Sequence, residues 1–373
     1  MPRSPATSAD VVVIGGGVAG LLVAHRCAAT GDSVLLLEAG ERVGGRCLSL
    51  DAGGIRVDLG AAWHWAEHTR VPRVLDRFSL ARIRQYEPGV AVFESGRNRP
   101  VEHVDWPSTP PPSWRIEGGT QALIDAVADV LPDGTVHCGM RVDRIRQAGP
   151  DGIRVEGTGS EGPFSVEAAR CACAVPPRLV AHTIDIRPLP SGVNDALRHT
   201  PTWMSHSLKA GVVYDRPFWR EDGWSGRVRS LVGPIHDWHD ATPPASLASG
   251  GRSRGAGGLF GFGPPLQQGV SMDDFRKRIV EQLVHCYGPA ARDPVAVRVQ
   301  DWSRAPRTTP SAGSACRVDE PTAVPALSRE YWNGRLHFVA AETACDHPGF
   351  LDGAIEAAQR WEEQTSATAS AAA

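Results

Sequence analysis

Three glycines, one carboxylate and one lysine are the residues whose types and spacing first suggest chemistry. Gly15, Gly17 and Gly20 fall in a G-x-G-x-x-G pattern within "VVVIGGGVAG". The first glycine permits a tight turn, the second lets the backbone approach a pyrophosphate, and the third allows close helix–strand packing. Glu38 lies about 20 residues on, at the end of the next apolar run, where an acceptor for ribose hydroxyls belongs. The lysine is Lys209. Of 39 lysines and arginines, only Lys209 and Lys277 are lysine. Lys209 interrupts the apolar run "LKAGVVY". In a strand it would share a face with Gly211 and Val213, opposite Leu208, Ala210 and Val212. An ammonium is a compact point charge on a flexible stem, whereas a guanidinium is planar and bulkier. Read from the strand alone, this lysine sits on an edge and points to solvent.

The elements around these residues follow from hydrophobic period and glycine or proline punctuation. "VVVI" is a short buried strand, "LLVAHRCAATG" a helix ending at Gly31, and "SVLLLEAG" a second buried strand. A positive helix end then faces any phosphate at the glycine turn. Residues 66–113 read as irregular. Residues 118–132 and 272–288 read as helices, and 141–157 as a hairpin turning at Gly149–Gly152. Residues 242–258, rich in Gly, Ser and Pro, read as a mobile loop. Near the C-terminus "RLHFVAA" is a strand, "LDGAIEAAQRWEEQ" a helix, and 366–373 a disordered tail.

Composition narrows the class. A chain of 373 residues with 42% hydrophobic and 22% charged residues is globular and long enough for two domains. A net charge of -3 argues against nucleic acid and against an anionic membrane surface as partners. No apolar run reaches the roughly 18 residues of a membrane span. The polar start "MPRSPATSAD" is no signal peptide, so a cytoplasmic protein is expected. Eight scattered cysteines without a CxxC pair suggest reduced thiols and no metal site.

The segment "EAGERVGGRC" follows the second strand directly. A glycine pair plus Arg46 can fold back over a pyrophosphate and pair its oxygens. Here the chain resembles the flavin-containing amine oxidase family, which includes monoamine and polyamine oxidases. The resemblance continues through "VDLGAAWHW", "RIEGGTQALIDAVADVL", "GMRVDRI", "CAVPPRL", "LKAGVVYDRPFWRE", "GLFGFGPP", "VQDWSRAP" and "LHFVAAETACDHPGFLDGAIEAAQR". It implies an α/β fold: a Rossmann-like FAD-binding domain with a smaller α+β substrate domain on a mixed or antiparallel sheet. The FAD domain would be discontinuous, 8–78, 114–185 and 301–365, and the substrate domain 79–113 and 186–300. It also implies that Gly60 and Ala61 pass near the flavin ring and that the backbone of Val142 meets the adenine. Glu342 would bind the ribityl or phosphate region, and the helix start at Leu351 would face the pyrimidine end of the ring. Lys209 matches a lysine that contacts the flavin through water. A cation there favours negative charge on the reduced ring and electron transfer to oxygen. The implied reaction oxidises the C–N bond of a small-molecule amine to an imine, with electrons passing to O2 and giving H2O2.

The pattern also breaks. Family members set two aromatic rings before the flavin. Phe350 matches one, but "RTTPSAGSACRV" carries no aromatic for the other. Ser311 lies nearest the position where some members bind FAD through cysteine, and Cys316 falls too late, so noncovalent FAD is expected. The short stretch between Trp65 and Gly118 implies a less roofed cavity, or one closed by a second copy in a homodimer. Trp63, His64 and Trp65 are candidates for the substrate cavity, with His64 able to tune amine protonation. Trp203, Trp219, Trp224 and Trp302 read first as core, Trp302 also as a border of the flavin. Asp346 and His347 read as caps or surface groups. Two rival functions remain open: a flavin-dependent desaturase or isomerase acting on a C–C bond, and a noncatalytic flavin-binding subunit.

Overall fold

A computed structural model describes residues 6–105, 112–149, 152–244, 255–310 and 321–372, with side chains to Ser366. Strand β1 (Ser8–Ile14), helix α1 (Val18–Ala29) and strand β2 (Val34–Glu38) form the opening unit. The strands pair in parallel, Val11 opposite Val34 and Ile14 opposite Leu37. Both faces of this sheet are covered, which is why its strands read as continuous apolar runs. Val11, Val13 and Leu36 pack on one face beneath α1 and the C-terminal helix Leu351–Ala372. Val12, Ile14, Leu35 and Leu37 pack on the other, with Ile145, Val180 and Leu197.

β1 and β2 lie inside a sheet of nine strands. On one side β2 pairs in parallel with Val136–Cys138. On the other, β1 pairs in parallel with the long strand Gly162–Cys173. That strand takes two further partners along its other edge: Gly152–Gly159 antiparallel at its start and Leu336–Phe338 parallel at its end. Arg141–Ala148 and Gly152–Gly159 form the expected hairpin. A second sheet of seven strands carries Leu208–Tyr214 next to one edge, flanked antiparallel by Gly257–Gly263 and by the edge strand Ala296–Asp301. It is mixed, because Trp224–Ser230 runs parallel to Val90–Glu94. The fold class is the one expected: α/β, Rossmann-like, with a second and mainly antiparallel sheet.

Two expectations fail. Within 66–113, the described stretch 66–105 is not irregular: it holds α2 (Arg70–Arg77) and the strands Arg82–Arg84, Val90–Glu94 and Glu102–Val104. Val71, Val74 and Leu75 stand at helical spacing and are buried, and Pro72 sits in the first turn, where a missing N–H costs nothing. The expected tail is helical as far as it is described, the last helix running to Ala372. Alanine, the best helix former, dominates that stretch. Most of the 242–258 loop, with Ser311 and Cys316, lies outside the described residues.

Candidate active site

One cavity of about 1030 Å³ joins the two sheets' contributions. That is at the upper end of the roughly 300–1,000 Å³ usual for small-molecule sites. Gly15, Gly17, Glu38, Arg46 and Val142 line it, as do Gly60, Ala61, Lys209, Trp302, Phe350 and Leu351. Of the residues singled out in the sequence, Gly20, Glu342 and His64 lie behind its walls.

At the nucleotide end, backbone sets the shape. α1 opens directly after the glycine turn, with Gly17 at its N-cap. A Cβ on Gly20 would stand 2.0 Å from the Gly15 carbonyl oxygen, so only glycine lets helix and strand close this far. The two oxygens of Glu38 accept the N–H groups of Gly16 (2.7 Å) and Gly40 (2.6 Å), which ties the turn to the end of β2. The Gly44–Arg46 segment folds back as the sequence suggested: the Gly44 N–H donates to the Gly16 carbonyl at 2.7 Å. Arg46 donates twice to Glu342, at 2.6 and 2.9 Å. Glu342 is fully buried behind Arg46, so it meets the cavity only through that guanidinium.

The other end is built of side chains. Lys209 is 2% exposed, and its Nζ donates to the Gly60 carbonyl at 2.5 Å. The edge-strand reading therefore fails; this lysine is interior. Its ammonium stands 4.7 Å from the ring centroid of Phe260 and 4.5 Å from that of Phe262. Burial pulls its pKa down to about 7, and the charge of Asp58 opposes the fall. Asp58 is buried too, which pushes its own pKa up, against the pull of Lys209 and of its hydrogen bonds. It accepts from Ser49 Oγ, Thr120 N and Thr120 Oγ1, each at 2.8 Å. Gly60 allows the Lys209 contact because its backbone runs tight against Arg46: a Cβ there would be 1.8 Å from the Arg46 carbonyl oxygen. Trp302 borders the cavity and anchors through Nε1 to the Leu59 carbonyl at 2.8 Å.

Phe350 sits in a turn held from behind. Asp352, fully buried, accepts the Arg70 N–H at 2.8 Å and an Arg70 guanidinium nitrogen at 3.0 Å. Arg70 also donates to Asp346 at 2.8 Å, so one guanidinium clasps both ends of the Asp346–Asp352 turn. Glu356 accepts the N–H groups of Cys345 and Asp346. Trp65 and Trp203 pack on Phe350, with centroids 5.9 and 5.5 Å away. Trp203, read first as core, is thus a cavity wall. The one positional hint was Gly349, which leaves room for it.

His64 corrects an expectation. It is 1% exposed and stacked on Trp114 at 5.7 Å, outside the cavity. Burial drops its pKa to about 4, so it stays neutral near neutrality and cannot tune an amine's protonation there. Asp58, Arg70, Asp352 and Phe262 were not singled out in the sequence, because their roles come from contacts far along the chain.

The site fits FAD: glycine positions that no larger residue could occupy open the nucleotide end, and one cavity leads from there to a buried cation. Comparisons with known proteins agree. Residues 109–361 match the family model for flavin containing amine oxidoreductase, and residues 13–78 match a NAD(P)-binding Rossmann-like domain. Putrescine oxidase of Kocuria rosea is 23% identical over 79% of this chain and 82% of its own length. The solved structure of wild-type putrescine oxidase bound to putrescine superposes with a TM-score of 0.74 at 20% identity, covering 97% of this chain and 99% of that one. Cyclohexylamine oxidase from Brevibacterium oxydans gives 0.76 at 17% identity, covering 98% and 100%. Among the described residues, no helix is long and apolar enough to cross a membrane, and no cluster could hold a metal ion. The chain belongs to the flavin-containing amine oxidoreductase family and is an oxidoreductase whose cofactor is FAD.

Proposed function

We propose that the protein oxidises the C–N bond of a small-molecule amine to an imine, with O2 as electron acceptor and H2O2 as product. FAD held by these residues would supply the redox chemistry for a two-electron oxidation of the amine. The observation that carries the reading is Lys209: a buried ammonium, fixed on the Gly60 carbonyl, lining the same cavity as the glycine turn.

The chain's own residues divide the work. Gly15, Gly17 and the N-terminus of α1 cradle the pyrophosphate, and Gly20 lets them close. Glu38 accepts from ribose hydroxyls with the lone pairs its two backbone donors leave free. The backbone of Val142 meets the adenine. Arg46, oriented by Glu342, faces the phosphates. Gly60 and Ala61 let the backbone pass close to the ring. N–H groups at the Leu351 helix start favour negative charge beside them. Lys209 spends one donor on Gly60 and, when protonated, keeps two for a water or an anionic centre in the cavity. Phe350, Trp203, Trp65 and Trp302 exclude water, which favours a neutral amine. FAD is held noncovalently, for no cysteine matches the family's attachment position. The FAD-binding part comprises 8–78, 114–185 and 301–365, and the substrate part 79–113 and 186–300. Support for that division is that each of the two large sheets draws nearly all its strands from one of the two sets.

The rings of Trp65 and Trp203 against Phe350 give the reactive end aromatic walls, which supports amine oxidation over the desaturase reading. The test is stoichiometric. With a turned-over amine, O2 consumed and H2O2 formed should match, and denaturation should release free FAD. Anaerobic bleaching of the flavin band without reoxidation by O2 would instead make the protein a dehydrogenase.

A further inference from the structure

The lining of the reactive end also limits the substrate's body; this step rests on the amine oxidation proposed above. Six aromatic residues, Trp63, Trp65, Trp203, Phe262, Trp302 and Phe350, line that end. Four of them pack in tilted or T-shaped contacts: Trp63 and Trp65 centroids are 6.2 Å apart, Trp65 and Phe350 5.9 Å, Trp203 and Phe350 5.5 Å. Trp203 is seated against the backbone of the Phe350 turn. Gly349 has φ +83°, and a Cβ there would come within 2.7 Å of the Trp203 Cβ. The next residue, Met204, adopts φ +58°, which side-chain-bearing residues rarely take. The chain accepts an unfavourable backbone beside the ring that completes the wall.

Charge is distributed unevenly along the same cavity. Among the described lining residues, the only carboxylates are Glu38 and Glu41, both at the nucleotide end. The charged groups that line the cavity beside the aromatic walls are Lys209 and Arg304, both cationic. Among the described residues, a second ammonium on the substrate would find no lining carboxylate in this slot and like charges beside it, the nearby Asp301 being already paired with Arg304 at 3.4 Å. Aromatic faces attract cations, but the gain falls short of the cost of stripping water from a primary ammonium.

We infer that the substrate is a monoamine whose single nitrogen is carried on a flat ring or compact cyclic body, that diamines and polyamines are rejected, and that Trp203 is the specificity-determining wall. The test uses the flavin-loaded protein and four probes: benzylamine, cyclohexylamine, putrescine and spermidine. Anaerobic bleaching of the flavin band gives kcat and KM for each, and quenching of tryptophan fluorescence gives binding independently of turnover. The ring amines should exceed putrescine in kcat/KM by at least about 10-fold. Trp203→Ala should cut that advantage by about 10-fold, through KM, with flavin content per chain unchanged, and Trp203→Phe should restore most of it. If Trp203→Ala sheds flavin, Trp203→Leu, which keeps bulk but no ring face, carries the comparison against the native protein. Putrescine or spermidine matching the ring amines, or an unchanged preference in the fully loaded Trp203→Ala or Trp203→Leu variant, overturns the inference and leaves amine oxidation standing. Failure of all four probes to bind or bleach overturns both.

Discussion

The two ends of the cavity are made from different materials. The nucleotide end uses backbone: the glycine turn at 15–20, the end of β2, and the Gly44–Arg46 fold-back, within some thirty residues of chain. The reactive end uses side chains from distant segments: Trp65, Trp203, Lys209, Phe262, Trp302 and Phe350. A pyrophosphate is recognised by N–H groups and a helix end, which any sequence can present if it has no Cβ in the way. A substrate is recognised by surface, which must be brought from wherever the fold can supply it. The first end is therefore intolerant of added atoms, and the second of lost ones.

That contrast can be broken most severely at Gly20. Gly20→Val puts a side chain into the Gly15 carbonyl, a contact that cannot relax without moving helix α1 off the glycine turn. The expected outcome is folded protein with almost no bound flavin, read from the ratio of flavin to protein absorbance.

Lys209 sharpens the contrast through pH. Its pKa of about 7 makes it charged below that value and neutral above it. If its charge assists reaction with oxygen, that rate should fall roughly tenfold per pH unit above 7. In Lys209→Met the same profile should be flat, and stopped-flow reoxidation at pH 6 to 9 checks both. His64 should add no titration to the profile near neutrality, because burial keeps it neutral above about pH 4.

Arg70 tests whether the reactive end depends on support from outside the cavity. Arg70→Gln leaves the buried Asp352 carboxylate without its charged partner, a loss of about 3 kcal/mol. Thermal unfolding should show it. Because Phe350 is then less well held, KM for amine should rise more than kcat falls, with Arg70→Lys intermediate. The smallest effect is expected of Trp302→Phe, which loses one hydrogen bond to the Leu59 carbonyl, about 1 kcal/mol in the same unfolding measurement.

The same difference governs what could be read from the sequence. Gly15, Gly17, Gly20, Glu38 and the fold-back at Arg46 are local, so their spacing alone suggests a dinucleotide site. Lys209 stood out by rarity, yet its strand pattern alone pointed to solvent, because burial depends on Gly60 and two phenylalanines elsewhere in the chain. Trp203 looked like core because nothing near it in sequence marks the turn it leans on. Arg70 and Asp352 are 282 residues apart, and only the packing of α2 against the last helix joins them. The helix at Arg70–Arg77 was obscured by its proline, and the C-terminal turns by their small residues.

The most direct test of the account is the oxidative step in Lys209→Met. Native protein and variant are bleached anaerobically with the same amine, then mixed with oxygenated buffer at pH 6. The account predicts equal flavin content, and recovery of the flavin band slowed about 100-fold in the variant. Equal recovery rates in two fully loaded proteins would contradict it.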